Sequence, residues 1–297
     1  MHLAYIILAH KNPEQLFRLV SRLNHPDDFF FIHIDKKVDI LPFQIVFENS
    51  GFNIKFITRR ENGRWGDIGL VRATLNGLYE LLDSNIDFTH VSLLSGQDYP
   101  IKPIEEIRRF FFTNKNKSFI EHRPFPIKTL TYGGLHRIYS YSFNIGTRRE
   151  TYIPLKWKNN LSFKGKIQNL ALGVICLLFP KRKLPNGWKP YYGSQWWSLS
   201  KEAVKCIISL LNDHSNYLSF HKYSLIPDEM FFQTLLLNNY SGVITNDNKR
   251  FILWENSKSH PSILNDEHLK ALISSDKLFA RKFEIDSNLQ KLLDNDI

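Results

Sequence analysis

The run Leu3-Ala4-Tyr5-Ile6-Ile7-Leu8-Ala9 is apolar without interruption and gives way at once to the polar cluster His10-Lys11-Asn12-Pro13. A short continuous apolar run bounded by turn residues fits a strand buried on both faces. The Pro after Asn12 suits the first turn of a helix, and residues 14–20 carry helical spacing. The unit then recurs. Phe29-Phe30-Phe31-Ile32-His33-Ile34 is a second strand and Ile54-Lys55-Phe56-Ile57 a short third. Residues 67–82 read as a helix with Leu70, Val71, Leu75, Leu78, Leu81 and Leu82 on one side. Val91-Ser92-Leu93-Leu94 is another strand, followed by a helix over 104–112 and the strand Phe119-Ile120. Strands alternating with helices predict an α/β fold, a mostly parallel central sheet flanked by helices.

With 297 residues, 43% of them hydrophobic, and no repeat, disordered and fibrous classes are excluded. From residue 123 to 192 the pattern loosens, and order returns with Gln195-Trp196-Trp197-Ser198-Leu199 and a helix near 201–211. No linker composition intervenes, so residues 1–297 are expected to form one domain.

A net charge of +10 favours anionic partners such as phosphates or an acidic membrane surface. The basic residues are scattered, which argues against nucleic acid. Only Cys176 and Cys206 occur, so a reducing compartment is expected. The first eight residues lack a basic region and a cleavage site and read as a strand, not a signal peptide. The longest apolar stretch, 170–179, falls short of the roughly 20 residues a spanning helix requires. It is flanked by Lys156, Lys158, Lys164 and Lys166 before it and by Lys181, Arg182 and Lys183 after it. Two readings of 157–183 stand level: a segment lying on an anionic membrane, or a buried helix with solvated ends.

In open parallel sheets, ligands lie beyond the carboxyl ends of the strands. Those ends are polar here: Ala9-His10-Lys11, His33-Ile34-Asp35-Lys36-Lys37 and Ser95-Gly96-Gln97-Asp98-Tyr99-Pro100. No G-x-G-x-x-G and no P-loop occurs. Further on, Pro227-Asp228-Glu229 leads into the apolar residues 230–235. A carboxylate there can serve as a general base or simply cap a helix. An Asp-x-Asp metal pair is found only as Asp294-Asn295-Asp296, read as a solvated tail. Without a metal, the charge of a diphosphate leaving group must be met by Lys or Arg. Arg281-Lys282, framed by Phe279 and Phe283, offers that, with an ordinary solvated pair as the plain alternative.

Taken in order, Tyr5-Ile6-Ile7-Leu8-Ala9-His10, His33-Ile34-Asp35-Lys36-Lys37, Ser95-Gly96-Gln97-Asp98-Tyr99-Pro100-Ile101-Lys102, Gly193-Ser194-Gln195-Trp196-Trp197, Pro227-Asp228-Glu229 and Leu278-Phe279-Ala280-Arg281-Lys282-Phe283 resemble the core-2/I-branching N-acetylglucosaminyltransferases and the related peptide O-xylosyltransferases. The resemblance implies a type-A glycosyltransferase fold and inverting, metal-independent transfer from a UDP-sugar, most naturally UDP-N-acetylglucosamine, to a glycan hydroxyl. On that footing, residues 1–122 form the nucleotide-sugar half and 123–297 the acceptor and catalytic half. Glu229 matches the general base and Lys282 the lysine that neutralises the diphosphate. Asp35 matches the uracil-reading acid, Ala9 and His10 the strand end beside uridine, and Trp65 an aromatic near the nucleotide. Ser95, Gly96 and Arg281 join them as UDP-sugar contacts, and Glu121 and Trp254 fall at acceptor positions.

Animal members add an upstream arginine. Residues 254–261 contain none, which leaves Lys258, His260 or Arg281 for a second cation. Those members also carry disulfide cysteines and a membrane anchor. Without these, a cytoplasmic, bacterial-type enzyme is expected, peripheral at the inner membrane face and working on a lipid-linked acceptor. Glu229 is expected to be ionised, with a low pKa set by a helix N-terminus, and Asp228 to take the capping role. Two other readings stand beside this one: the same fold using UDP-xylose or another UDP-sugar, and a non-catalytic polyanion or nucleic-acid binder.

Overall fold

The computed structural model describes residues 2–154, 161–255, 260–285 and 287–296. Lys156, Lys158 and Lys258, and the side chain of Asp296, lie outside the described residues. In chain order the strands are β1 (His2–Ala9), β2 (Phe29–Ile34), β3 (Ile54–Phe56), β4 (Phe88–Ser95), β5 (Asp98–Pro100), β6 (Lys117–Ile120), β7 (Arg123–Pro124), β8 (Ser142–Ile145), β9 (Arg148–Thr151), β10 (Tyr191–Tyr192), β11 (Trp197–Ser200), β12 (Val243–Thr245), β13 (Arg250–Ile252) and β14 (Phe279–Arg281). The helices are α1 (Pro13–Leu23), α2 (Leu41–Ile45), α3 (Gly69–Asp83), α4 (Ile104–Thr113), α5 (His136–Tyr139), α6 (Phe163–Cys176), α7 (Lys201–Asp213), α8 (Ser215–His221), α9 (Phe231–Asn239), α10 (Leu269–Ser274) and α11 (Asn288–Asp296).

Seven strands form the central sheet in the order β12-β6-β11-β4-β1-β2-β3, and within it β11 alone pairs antiparallel with its neighbours. This is the expected α/β architecture. The continuous apolar run of β1 is explained by its central place. Leu3, Tyr5, Ile7 and Ala9 pack with α1, α4 and α11, while Ala4, Ile6 and Leu8 pack on the other face with α3, α7 and α9. Neither face meets water, so neither position of the strand alternation can be polar.

Register fixes the polar strand ends. Ala9 pairs with Ile34 and Leu8 with Ser95, so β1, β2 and β4 finish side by side. Beyond Ser95 the chain leaves this sheet and becomes β5 of a second sheet, ordered β13-β14-β5. Gly96 makes that exit: its N–H donates to the Leu8 carbonyl at 3.0 Å, and a Cβ would meet the Ala9 Cβ at 3.2 Å.

Three expectations are corrected. Asp228 caps nothing. Pro227–Glu229 is a separate 3-10 turn, and Met230, at φ −145°, breaks the helical path before α9, whose N-cap makes no side-chain hydrogen bond. Asp294 is not a solvated tail. It accepts from the Tyr99 hydroxyl at 2.6 Å and from Arg18 Nη2 at 2.7 Å, which fastens α11 to the core. The stretch 170–179 is not a buried helix either, since Leu170, Val174, Leu177 and Leu178 are 61–85% exposed. Arg182, counted there as a solvated flank, turns inward over the Phe220 ring at 4.0 Å.

Candidate active site

The strand ends open into a cavity of about 350 Å³ lined by Ala9, His10, Asp35, Trp65, Ser95, Gly96 and Arg281. Asp35 is held from behind. The N–H groups of Lys37 and Gly63 each donate to one of its carboxylate oxygens at 2.9 Å. Each oxygen keeps a further lone pair for a ligand. His33, buried beneath it, accepts from the Glu61 N–H at 2.8 Å, and burial pulls its pKa down to about 4, so it is neutral. His10 is exposed at the rim, its pKa lowered by partial burial and by Lys11. Trp65 is 66% exposed, a free ring at the mouth.

Ser95, in the cavity wall, donates to buried Asp98 from its hydroxyl at 2.8 Å and its N–H at 3.0 Å. Asp98 lies opposite Arg281 in the β5–β14 register, and Arg281 Nη1 sits 3.4 Å from its carboxylate. The Arg281 guanidinium also lies 4.2 Å from the Trp196 ring centroid. Two of its nitrogens, Nε and Nη1, are buried and make no hydrogen bond to the protein. Unsatisfied buried donors beside a cavity are what an incoming anion would complete.

Trp65, Leu70, Gln195, Trp196 and Arg281 are shared with a second, larger cleft of about 830 Å³. The two spaces therefore adjoin at Arg281. The larger one holds Glu229, Asp228, Lys282, Glu121, Trp254 and His260. Lys282 has no carboxylate within ion-pair distance among the described residues. Its pKa is lowered by partial burial and by the nearby Lys11 and Arg281. Glu121 pairs with Arg123 at 3.2 Å, and Trp254 is 55% exposed.

Glu229 is placed by its backbone. The Gly193 N–H donates to its carbonyl at 2.8 Å, and a Cβ at position 193 would lie 1.8 Å from the Glu121 carbonyl oxygen, so only glycine fits. Its side chain receives Arg137 Nη1 at 2.5 Å and the Tyr192 hydroxyl. The expected low pKa is not what this environment produces. Burial raises it and outweighs the lowering by Arg137 and Tyr192. The helix dipole cannot help, because Glu229 is not on α9. Asp228, buried with Oδ1 unpartnered, is pushed up to about 7 by burial and then by its neighbour Glu229.

The sequence-predicted residues thus divide between two joined spaces. Arg137, Tyr192 and Trp196 were not singled out as site residues. Arg137 comes from 123–192, where no element pattern was legible, and reaches Glu229 across 92 positions of sequence. Arg250 also borders the cleft, but it is buried and donates to the Trp197 carbonyl at 2.8 Å and to Ser198 at 2.9 Å, a structural tie. Among the described residues, no group of three or more His, Cys, Asp or Glu could hold a metal ion.

Residues 3–273 match the model of the Core-2/I-Branching enzyme family. The chain belongs to that family. Arg281 and Lys282 lie just past the matched range. Human xylosyltransferase 2 is 25% identical over 86% of this chain and 27% of its own length. Xylosyltransferase oxt of Drosophila melanogaster is 25% identical over 75% of this chain and 23% of its own. The chain therefore spans about a quarter of the length of these curated relatives. Among solved structures, S. aureus TarS in complex with UDP-GlcNAc aligns over 40% of this chain and 34% of its own, with 18% identity and a TM-score of 0.28.

Proposed function

We propose that this protein is an inverting glycosyltransferase that moves a sugar, most naturally N-acetylglucosamine, from a UDP-sugar to a glycan hydroxyl without a metal ion. The observation that carries the reading is the junction at Arg281. A pocket with a carboxylate fixed at a strand end meets there a cleft that holds a half-buried glutamate and a lysine with no carboxylate partner among the described residues. Asp35 and Trp65 would hold the nucleoside, and Arg281 and Lys282 would face the diphosphate. The acceptor oxygen attacks the anomeric carbon while the bond to UDP breaks and its electron pair leaves on the diphosphate. Glu229 Oε takes the hydroxyl proton as the new bond forms. Fixed cations that meet growing negative charge lower the barrier without reorganising. One base and a single displacement give a β-linked product from an α-linked donor.

Glu229's raised pKa suits this role better than the low one expected from sequence, since a more basic carboxylate holds the transferred proton more firmly. Two unpaired cysteines, Cys176 and Cys206, accord with work in the cytoplasm. A lipid-linked acceptor is part of the same reading, as is a single domain with its donor half before residue 123.

A second reading keeps the mechanism and changes the donor to UDP-xylose. It is favoured by the similarity to proteins named xylosyltransferases. Thermal shift across UDP-sugars separates the two donors, because a tight ligand stabilises by mass action.

The test is donor hydrolysis and transfer in EDTA for wild type and Glu229→Gln. Activity that persists in chelator and falls by ~10²-fold or more in the variant supports the reading. Activity abolished by chelation and restored by added metal would sink it, as would a fully active variant.

A further inference from the structure

Among the described residues, helix α6 is held on one face only. Asn169 accepts from the Ile153 N–H at 2.6 Å and donates back to the Ile153 carbonyl at 2.9 Å. Leu172 is buried nearby, and Gly173 lies against the Tyr152 ring, where a Cβ would come within 3.1 Å. The other face presents Phe163, Ile167, Leu170, Val174 and Leu177 at helical spacing, each 58–83% exposed. Lone exposed apolar residues need no explanation, but a continuous stripe of this kind marks an interaction surface.

The charge around the stripe selects its partner. Between Glu150 and Glu202 the chain has no acidic residue. Lys164 and Lys166 are exposed on α6 itself, and Lys181 and Lys183 are exposed just after it. A second copy seated on this face would bring two lysine fringes together in a protein already at +10. An anionic lipid surface offers an apolar layer and negative headgroups at once. At ~1.5 Å per residue, the 14 residues of α6 would lie in the plane of a membrane and not cross it.

We propose that α6 docks the protein on anionic bilayers, with its apolar stripe at the acyl boundary and its lysines among the lipid phosphates. The docking does not depend on the chemistry in the cleft. It does share a framework with it. Tyr141 donates to the Pro180 carbonyl at 2.7 Å, and Arg182 donates to the Ile138 carbonyl at 2.7 Å, next to Arg137.

The experiment is cosedimentation of the full chain with phosphatidylglycerol–phosphatidylcholine vesicles and with pure phosphatidylcholine vesicles. Anionic vesicles are expected to bind about tenfold or more tightly than neutral ones, and about 0.5 M salt should remove the preference. Leu170→Ser/Val174→Ser/Leu177→Ser and, separately, Lys164→Glu/Lys166→Glu should each weaken binding by about tenfold or more. Melting curves and donor hydrolysis should match wild type; if the apolar variant does not fold, the lysine variant decides. No preference for anionic vesicles, or binding retained in a folded variant, overturns the proposal. A dimer in light scattering that the apolar variant dissolves also overturns it, in favour of a second copy. A chain that hydrolyses donor yet ignores vesicles overturns the docking alone.

Discussion

Arg137 donates from Nη1 to Glu229 Oε2 at 2.5 Å, and the two side chains keep only 13% and 25% of their surface exposed. The arginine therefore works against the burial that raises the carboxyl's pKa. Replacing it with alanine removes the lowering influence, so Glu229 should hold its proton to higher pH. Arg137→Ala is expected to lose most activity near neutrality and to recover part of it as pH rises. A pH–rate profile checks this. An acidic limb that stays in place would show that Glu229 is not the titrating base.

Asp228 predicts a pH dependence of stability. Its pKa is raised from 3.8 to about 7 in the folded chain. Between those values the folded protein keeps a proton that the unfolded chain has released, so stability falls as pH rises through the window. The loss is on the order of 4 kcal/mol at most, from roughly three pK units. Asp228→Asn should flatten the slope and raise the melting temperature at pH 8 relative to wild type. Parallel slopes for the two proteins in urea unfolding at pH 5 and pH 8 would refute the assignment.

Arg281 and Lys282 are neighbours with different duties. No carboxylate among the described residues pairs with Lys282, so Lys282→Ala should reduce kcat by ~10²-fold or more and leave the melting temperature nearly unchanged. Arg281→Ala should reduce activity and also destabilise, because Asp98 would be left buried without its cation and Trp196 without its stacked partner. Steady-state kinetics beside melting curves separate these effects. Equal losses of stability in both variants would contradict the division.

Asp294 belongs to the frame. Asp294→Asn should cost ~1–3 kcal/mol, because Tyr99 and Arg18 both donate to the carboxylate. Donor KM should not move. A change in KM at unchanged stability would place the residue in the site after all.

The sheet was legible because its strands are buried on both faces. A run such as 3–9, closed by a turn, is short for a buried helix and fits such a strand. The strand-end residues followed from the same logic. What escaped was long-range. Arg137 sits in a one-turn helix whose sequence carries no periodicity, and its partner is decided by tertiary packing. The rise in Glu229's pKa was invisible for the same reason, since burial is not a local property. Asp228 misled because an acidic pair before an apolar helix is the commonest cap signal, and only the φ of Met230 separates turn from helix. Asp294 misled because a position near the last residue of a sequence says nothing about depth.

The strand that carries Arg281 and runs into Lys282 pairs with β5, formed from residues 98–100. The strand-end pocket is walled by Gln195, Trp196 and Arg281 as well as by Asp35, so it is complete only once β14 has joined β5. A substitution that unpairs β14 from β5 would therefore open the strand-end pocket and the larger cleft together.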